Sequence, residues 1–93
     1  MVEATLTIVN RLGLHARAAG KLVNLTKTFS SQVTLARADD AAAEAVDGKS
    51  IMAVMLLAAP VGSVLEVNVS GEDEEAAMAA IAELVADRFG EAE

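Results

Sequence analysis

His15 is the only histidine in a chain without cysteine. It lies in Gly13-Leu14-His15-Ala16-Arg17-Ala18, where a strand-like pattern gives way to a helix-like one. The first backbone N–H groups of a helix have no intrahelical partner and point outward as an anion site. A neutral imidazole at that position is a nucleophile beside a phosphate cradle. Arg17 adds a permanent charge and a planar fork of donors that suits phosphate oxygens. The chemistry these residues predict is attachment, holding and release of a phosphoryl group, with His15 as the attachment point. Arg17 and the backbone N–H of Ala16 serve as its anion holders.

The flanking segments must place that turn. Ala4 to Val9 alternates and is rich in β-branched residues, which predicts a strand closed by Asn10-Arg11-Leu12-Gly13. From Ala16 the period changes, and Ala19, Leu22, Val23, Thr26 and Phe29 mark one face of a helix. Ser30-Ser31 ends it. Val33 to Leu35 reads as a second strand, Ala38 to Ala42 as a loop and Glu44 to Val46 as a short third strand before the Asp47-Gly48 turn. Ser50 stands before the apolar run Ile51-Met52-Ala53-Val54-Met55-Leu56-Leu57, which marks it as a helix N-cap. Val64 to Ser70 alternates, with Leu65, Val67 and Val69 on one face. Glu72-Asp73-Glu74-Glu75 opens a last helix, with acids at its positive end. Its inward stripe is Ala77, Ala80, Ile81, Leu84, Val85 and Phe89, and Gly90 is its stop. A solvated helix start explains the acid cluster better than a metal site does, because no His or Cys converges on it. Neither a metal nor a cofactor is expected. The order β-α-β-β-α-β-α predicts an α+β fold with an antiparallel sheet of four strands covered on one face.

Composition narrows the class. With 93 residues, one domain over 1–93 is expected. The longest apolar run, Ile51 to Val61, falls short of the roughly 20 residues that span a bilayer. Met1-Val2-Glu3-Ala4 has no basic start of a signal peptide, so a soluble cytoplasmic protein is expected, with no membrane insertion. The formal net charge is −7, but it is uneven. Residues 1–38 carry five of the seven basic residues and one of the fourteen acids. So acidic a chain, lacking Tyr and Trp, argues against nucleic acid as a partner. The basic end suits an acidic or phosphate-bearing protein surface.

Three stretches give the chain a resemblance to HPr, the histidine-containing phosphocarrier family of the bacterial phosphoenolpyruvate-dependent phosphotransferase system. Gly13-Leu14-His15-Ala16-Arg17 resembles its phosphorylation motif. Lys49-Ser50-Ile51-Met52-Ala53-Val54-Met55 resembles its regulatory-serine motif and helix. Gly71-Glu72-Asp73-Glu74-Glu75, with the apolar helix ending Phe89-Gly90-Glu91, resembles its tail. The resemblance covers nearly the whole chain. It implies an open-faced β-sandwich with three helices on one side of the sheet. It further implies phosphorylation of His15, at Nδ1 in the family, by enzyme I, and transfer to IIA proteins. Ser50 would be the target of an ATP-dependent HPr kinase/phosphorylase.

Two departures stand out. Ala18 occupies a position where many relatives have proline. A first-turn residue needs no N–H partner, so alanine should keep the cradle. This leaves open whether the pathway is catabolic or nitrogen-regulatory. The His15–Ser50 spacing is also a few residues longer than usual, and the Ala38–Ala43 loop is expected to absorb it. The second helix is apolar nearly all round, so part of it must face solvent. Ile51, Met52 and Met55 are expected to form a docking surface, with Arg17, Lys21 and Lys27 around it. A carrier that visits two partners is expected to be a monomer. Two other classes fit less of the chain. A docking module switched at Ser50 has no need of His15. A ferredoxin-like ligand sensor would lack the extra helix after Ser50.

Overall fold

The computed structural model describes residues 1–40 and 44–93. Its elements are β1 (Val2–Thr7), α1 (Ala16–Thr26), β2 (Gln32–Arg37), β3 (Val46–Asp47), α2 (Ile51–Leu56), β4 (Val64–Ser70) and α3 (Glu74–Ala86), followed by a 3₁₀ turn over Arg88–Gly90. The strands form one antiparallel sheet in the order β1-β4-β2-β3. This is the expected α+β open-faced sandwich.

Alternation explains the one-sided cover. On β4, Leu65, Val67 and Val69 are buried, while Glu66 and Ser70 on the other side are exposed. The register sets Leu65 against Leu6 of β1, and Val67 and Val69 against Leu35 and Val33 of β2. On β1, Glu3, Thr5 and Thr7 face solvent. The buried side meets Ala18, Ala19, Leu22 and Val23 from α1, Val54 from α2, and Ala77, Met78, Ile81 and Val85 from α3. Burial of large aliphatic side chains, at about 1.5–3 kcal/mol each, is what holds the layers together.

Several boundaries differ from the sequence expectation, among them that of α1, which ends at Thr26 and leaves Phe29 beyond it. β1 begins at Val2 and ends at Thr7. Ile8 still donates in register to the Ser63 carbonyl (2.8 Å), but its own carbonyl accepts from the Gly62 N–H (2.7 Å), which breaks the ladder. The third strand is only Val46–Asp47. One further bond in the same register follows it, from the Gly48 N–H to the Val33 carbonyl (2.8 Å). The loop expected over Ala38 to Ala43 runs partly outside the described residues.

The last helix ends at Ala86, so Phe89 is not on its stripe. Arg88 (φ 56°), Phe89 (φ 54°) and Gly90 (φ 78°) are all left-handed and reverse the chain. For Arg88 and Phe89 that conformation costs on the order of 1–2 kcal/mol each. Complete burial of the Phe89 ring contributes a stabilisation of similar size, about 1.5–3 kcal/mol. The Lys21 ammonium adds a hydrogen bond to the Phe89 carbonyl (2.6 Å). The reversal brings Glu91, Ala92 and Glu93 back to the start of α1.

Candidate functional site

The loop before α1 is held from two sides. Asn10 is fully buried, accepts from the Gly13 N–H through its carbonyl (3.1 Å) and donates from Nδ2 to the Gly13 carbonyl (2.7 Å). Gly13 has φ +69°, and a Cβ there would come within 2.6 Å of the Ala59 carbonyl oxygen, so only glycine fits. The Leu14 N–H donates to that same carbonyl (2.8 Å), and the Leu14 side chain is buried. The loop that follows α2 is thereby the platform on which the His15 turn rests.

His15 is the N-cap of α1, with extended backbone (φ −76°, ψ 178°) and no side-chain cap bond. Its carbonyl accepts the first helical bond, from the Ala19 N–H (2.8 Å). The N–H groups of Ala16, Arg17 and Ala18 therefore lack helical partners, which is the arrangement an anion site needs. The imidazole is 28% exposed, enough for a partner protein to reach. Arg17 is exposed and makes no hydrogen bond or ion pair among the described residues.

Sequence reasoning missed the other half of the site. His15 Nε2 is in a short hydrogen bond with Glu91 Oε2. The other oxygen of that carboxylate accepts from Asn10 Nδ2 (3.0 Å). The His15 contact first, and the Asn10 bond second, hold the Glu91 carboxyl below the ordinary carboxylate range. Glu93 pairs with Arg11 through its side chain (2.8 Å), and its carbonyl accepts from the Arg11 N–H. Arg11, Leu12, His15, Ala16, Arg17, Glu91, Ala92 and Glu93 line one concavity. The acidic tail thus folds onto the basic end of the chain. Glu91 lies 76 positions from His15, and no local pattern signals that contact.

The expected docking residues separate into groups. Ile51, Met52 and Met55 are exposed on α2, and Leu56, Leu12 and Val61 join them as exposed apolar side chains that sequence reasoning did not select. Lys21 is engaged by the tail carbonyl. Lys27 stands just past the far end of α1, about 18 Å along the axis from His15 at 1.5 Å per residue.

Ser50 caps α2 as expected, its Oγ accepting from the Ala53 N–H (3.3 Å). Thr26 Oγ1 donates to the Gly48 carbonyl (2.7 Å), tying the end of α1 to the turn before Ser50. Ser50 and His15 therefore lie toward opposite ends of α1. The acid cluster at the start of α3 has a structural task. Asp73 accepts from the Ser30 and Ser31 N–H groups (2.8 and 2.9 Å) and from the Ser31 hydroxyl.

A partly exposed histidine heading a helix, beside an arginine with no partner among the described residues, on an open-faced sandwich, fits the class of histidine phosphocarriers. Comparison with known proteins gives the family. The family model described as the PTS HPr component phosphorylation site matches residues 2–87. The phosphocarrier protein HPr of Cupriavidus necator is 48% identical over 93 residues, the whole of both chains. That of Xylella fastidiosa is 50% identical over 91 residues, 98% of each. The crystal structure of HPr-C-His from Thermoanaerobacter tengcongensis matches with a TM-score of 0.88 and 38% identity, covering 98% of each chain. The chain belongs to the HPr family of the phosphotransferase system.

Proposed function

We propose that this chain accepts a phosphoryl group on His15 from enzyme I and passes it to IIA proteins. The observation that supports this best is His15 at the α1 N-terminus, with three N–H groups and an Arg17 side chain beside it that have no partner among the described residues. The ring lone pair attacks phosphorus. The N–H groups of Ala16 and Arg17 and the Arg17 guanidinium hold the resulting anion. An exposed helix terminus contributes only about 0.3–1 kcal/mol to binding an anion, so the group is held without being trapped. The partner supplies the alignment for in-line transfer. In this reading the chain is a substrate of phosphotransferases more than a catalyst, and works in the cytoplasm as a monomer. Ile51, Met52 and Met55 take part in docking, with Arg17, Lys21 and Lys27 as the charged residues of that surface. Ser50 is its regulatory residue, open to an HPr kinase/phosphorylase.

Incubation with enzyme I and phosphoenolpyruvate tests the proposal. An acid-labile phosphoryl adduct is expected on the wild type and not on His15→Ala. No adduct on the wild type, or an equal one on the variant, would falsify it.

A further inference from the structure

We propose that Glu91 is the positioning residue of this site. It holds the imidazole through the Nε2 proton and balances the ring's charge while Nδ1 carries the phosphoryl group. The inference rests on the carrier reading above. An ionised carboxylate can only accept hydrogen bonds, so its contact with Nε2 requires the proton to be on Nε2. In the neutral ring the lone pair is then on Nδ1, which selects the attacking atom.

The transfer balances as follows. The Nδ1 lone pair forms the bond to phosphorus, and the donor atom leaves with the electron pair of its own bond to phosphorus. The Nε2 proton stays, so the ring takes on a positive charge opposite the Glu91 carboxylate. On transfer to the next protein the P–N pair returns to Nδ1, and the ring departs as neutral imidazole. Without the Nε2 proton it would have to depart as an anion, a far poorer leaving group.

The rest of the tail is built to hold this carboxylate in place. The buried Phe89 ring anchors it, and Lys21 binds the Phe89 carbonyl. The Asn10 amide, itself fully buried, fixes the second Glu91 oxygen at 3.0 Å. Glu93, the other acid of the concavity, is paired with Arg11. Neither acid engages Arg17, which stays available to phosphate oxygens.

The test compares wild type, Glu91→Ala and Glu91→Gln. The His15 ring is read by long-range ¹H–¹⁵N NMR of the unphosphorylated protein, transfer by its kcat and KM with enzyme I, and folding by Tm. The wild type should show a low-field Nε2–H resonance. Glu91→Ala should lose it and transfer slower by about tenfold, the size seen when a carboxylate partner of a metal-bound histidine is removed. The loss should fall on kcat with KM little changed. Glu91→Gln keeps an acceptor without the charge, so it should retain the resonance and still transfer slower. If either folded variant transfers at the wild-type rate, the proposal fails. It also fails if the ring signals of Glu91→Ala match the wild type, since slower transfer would then report lost docking. Should Glu91→Ala not fold, Glu91→Gln decides alone by its kcat. The ring signals need no partner protein, so loss of this contact and failure of the carrier reading are distinguishable.

Discussion

His15 is singled out by position: one ring nitrogen faces a carboxylate and the backbone places it at a helix end. A second carboxylate, Asp73, shows how the same chemistry serves stability. Its hydrogen bonds, that from the Ser31 hydroxyl foremost and then that from the Ser30 N–H, bring its pKa from 3.8 to about 2. As pH falls through this window the unfolded chain binds a proton that the folded chain does not. Stability from Asp73 is therefore complete above pH 4 and is lost as pH falls through about 2. Glu74 and Glu91 are also depressed, by the N-terminal amine and by His15 respectively, so each adds to the acid limb. Asp73→Asn should lower Tm at neutral pH and make the decline between pH 5 and 2 shallower than in the wild type. Parallel acid limbs would count against this assignment.

At the scale of elements, α2 joins the two sites. Its N-cap is Ser50, and its trailing loop carries the Gly13–Leu14 turn through Ala59. Replacing Ser50 by Ala removes the cap and should cost about 1 kcal/mol. That corresponds to roughly 4–8 °C in Tm for a domain of this size. Asp is as good a cap, so Ser50→Asp should melt near the wild type. It should nonetheless slow His15 phosphorylation by enzyme I, because its charge sits beside the exposed Ile51 and Met52 where a partner would have to desolvate it. Phosphoserine, with roughly −1.5 to −2 charges, should act more strongly. A rate equal to wild type in Ser50→Asp would leave only the cap. A slow rate with a collapsed Tm would mean a damaged helix.

Across the whole molecule, and apart from Met1 and Val9, the large exposed apolar side chains among the described residues belong to the His15 loop, α2 and the loop after it: Leu12 is 66% exposed, Met52 74% and Leu56 79%. The opposite face of the sheet is polar, with Glu3, Thr5, Thr7 and Glu66 exposed. This asymmetry motivates one further prediction. Met52→Glu should weaken enzyme I binding by about 1 kcal/mol, roughly a factor of five. Its Tm should stay close to the wild type, since an exposed substitution shifts stability by less than about 0.5 kcal/mol. Titration calorimetry with enzyme I checks it, and unchanged affinity would remove α2 from the docking surface.

Local pattern was enough for much of this. Alternation on Leu65, Val67 and Val69 defined β4 and its buried face, and Ser50 before an apolar run marked a capped helix. Gly13 and His15 marked a helix start, which exposes N–H groups wherever it occurs. Each of these signals operates over a few residues, so sequence reading reaches it. The Glu91 contact, the Arg11–Glu93 pair and the burial of Phe89 depend on where a left-handed reversal at Arg88–Gly90 sends the chain. Sequence reading kept Phe89 on the helix because its spacing from Val85 suits either path. Lys21, expected beside the docking surface, is held by a carbonyl 68 positions away. Only packing of α3 against the sheet and α1 sets the direction of that tail, which brings Glu91 to Nε2 of His15.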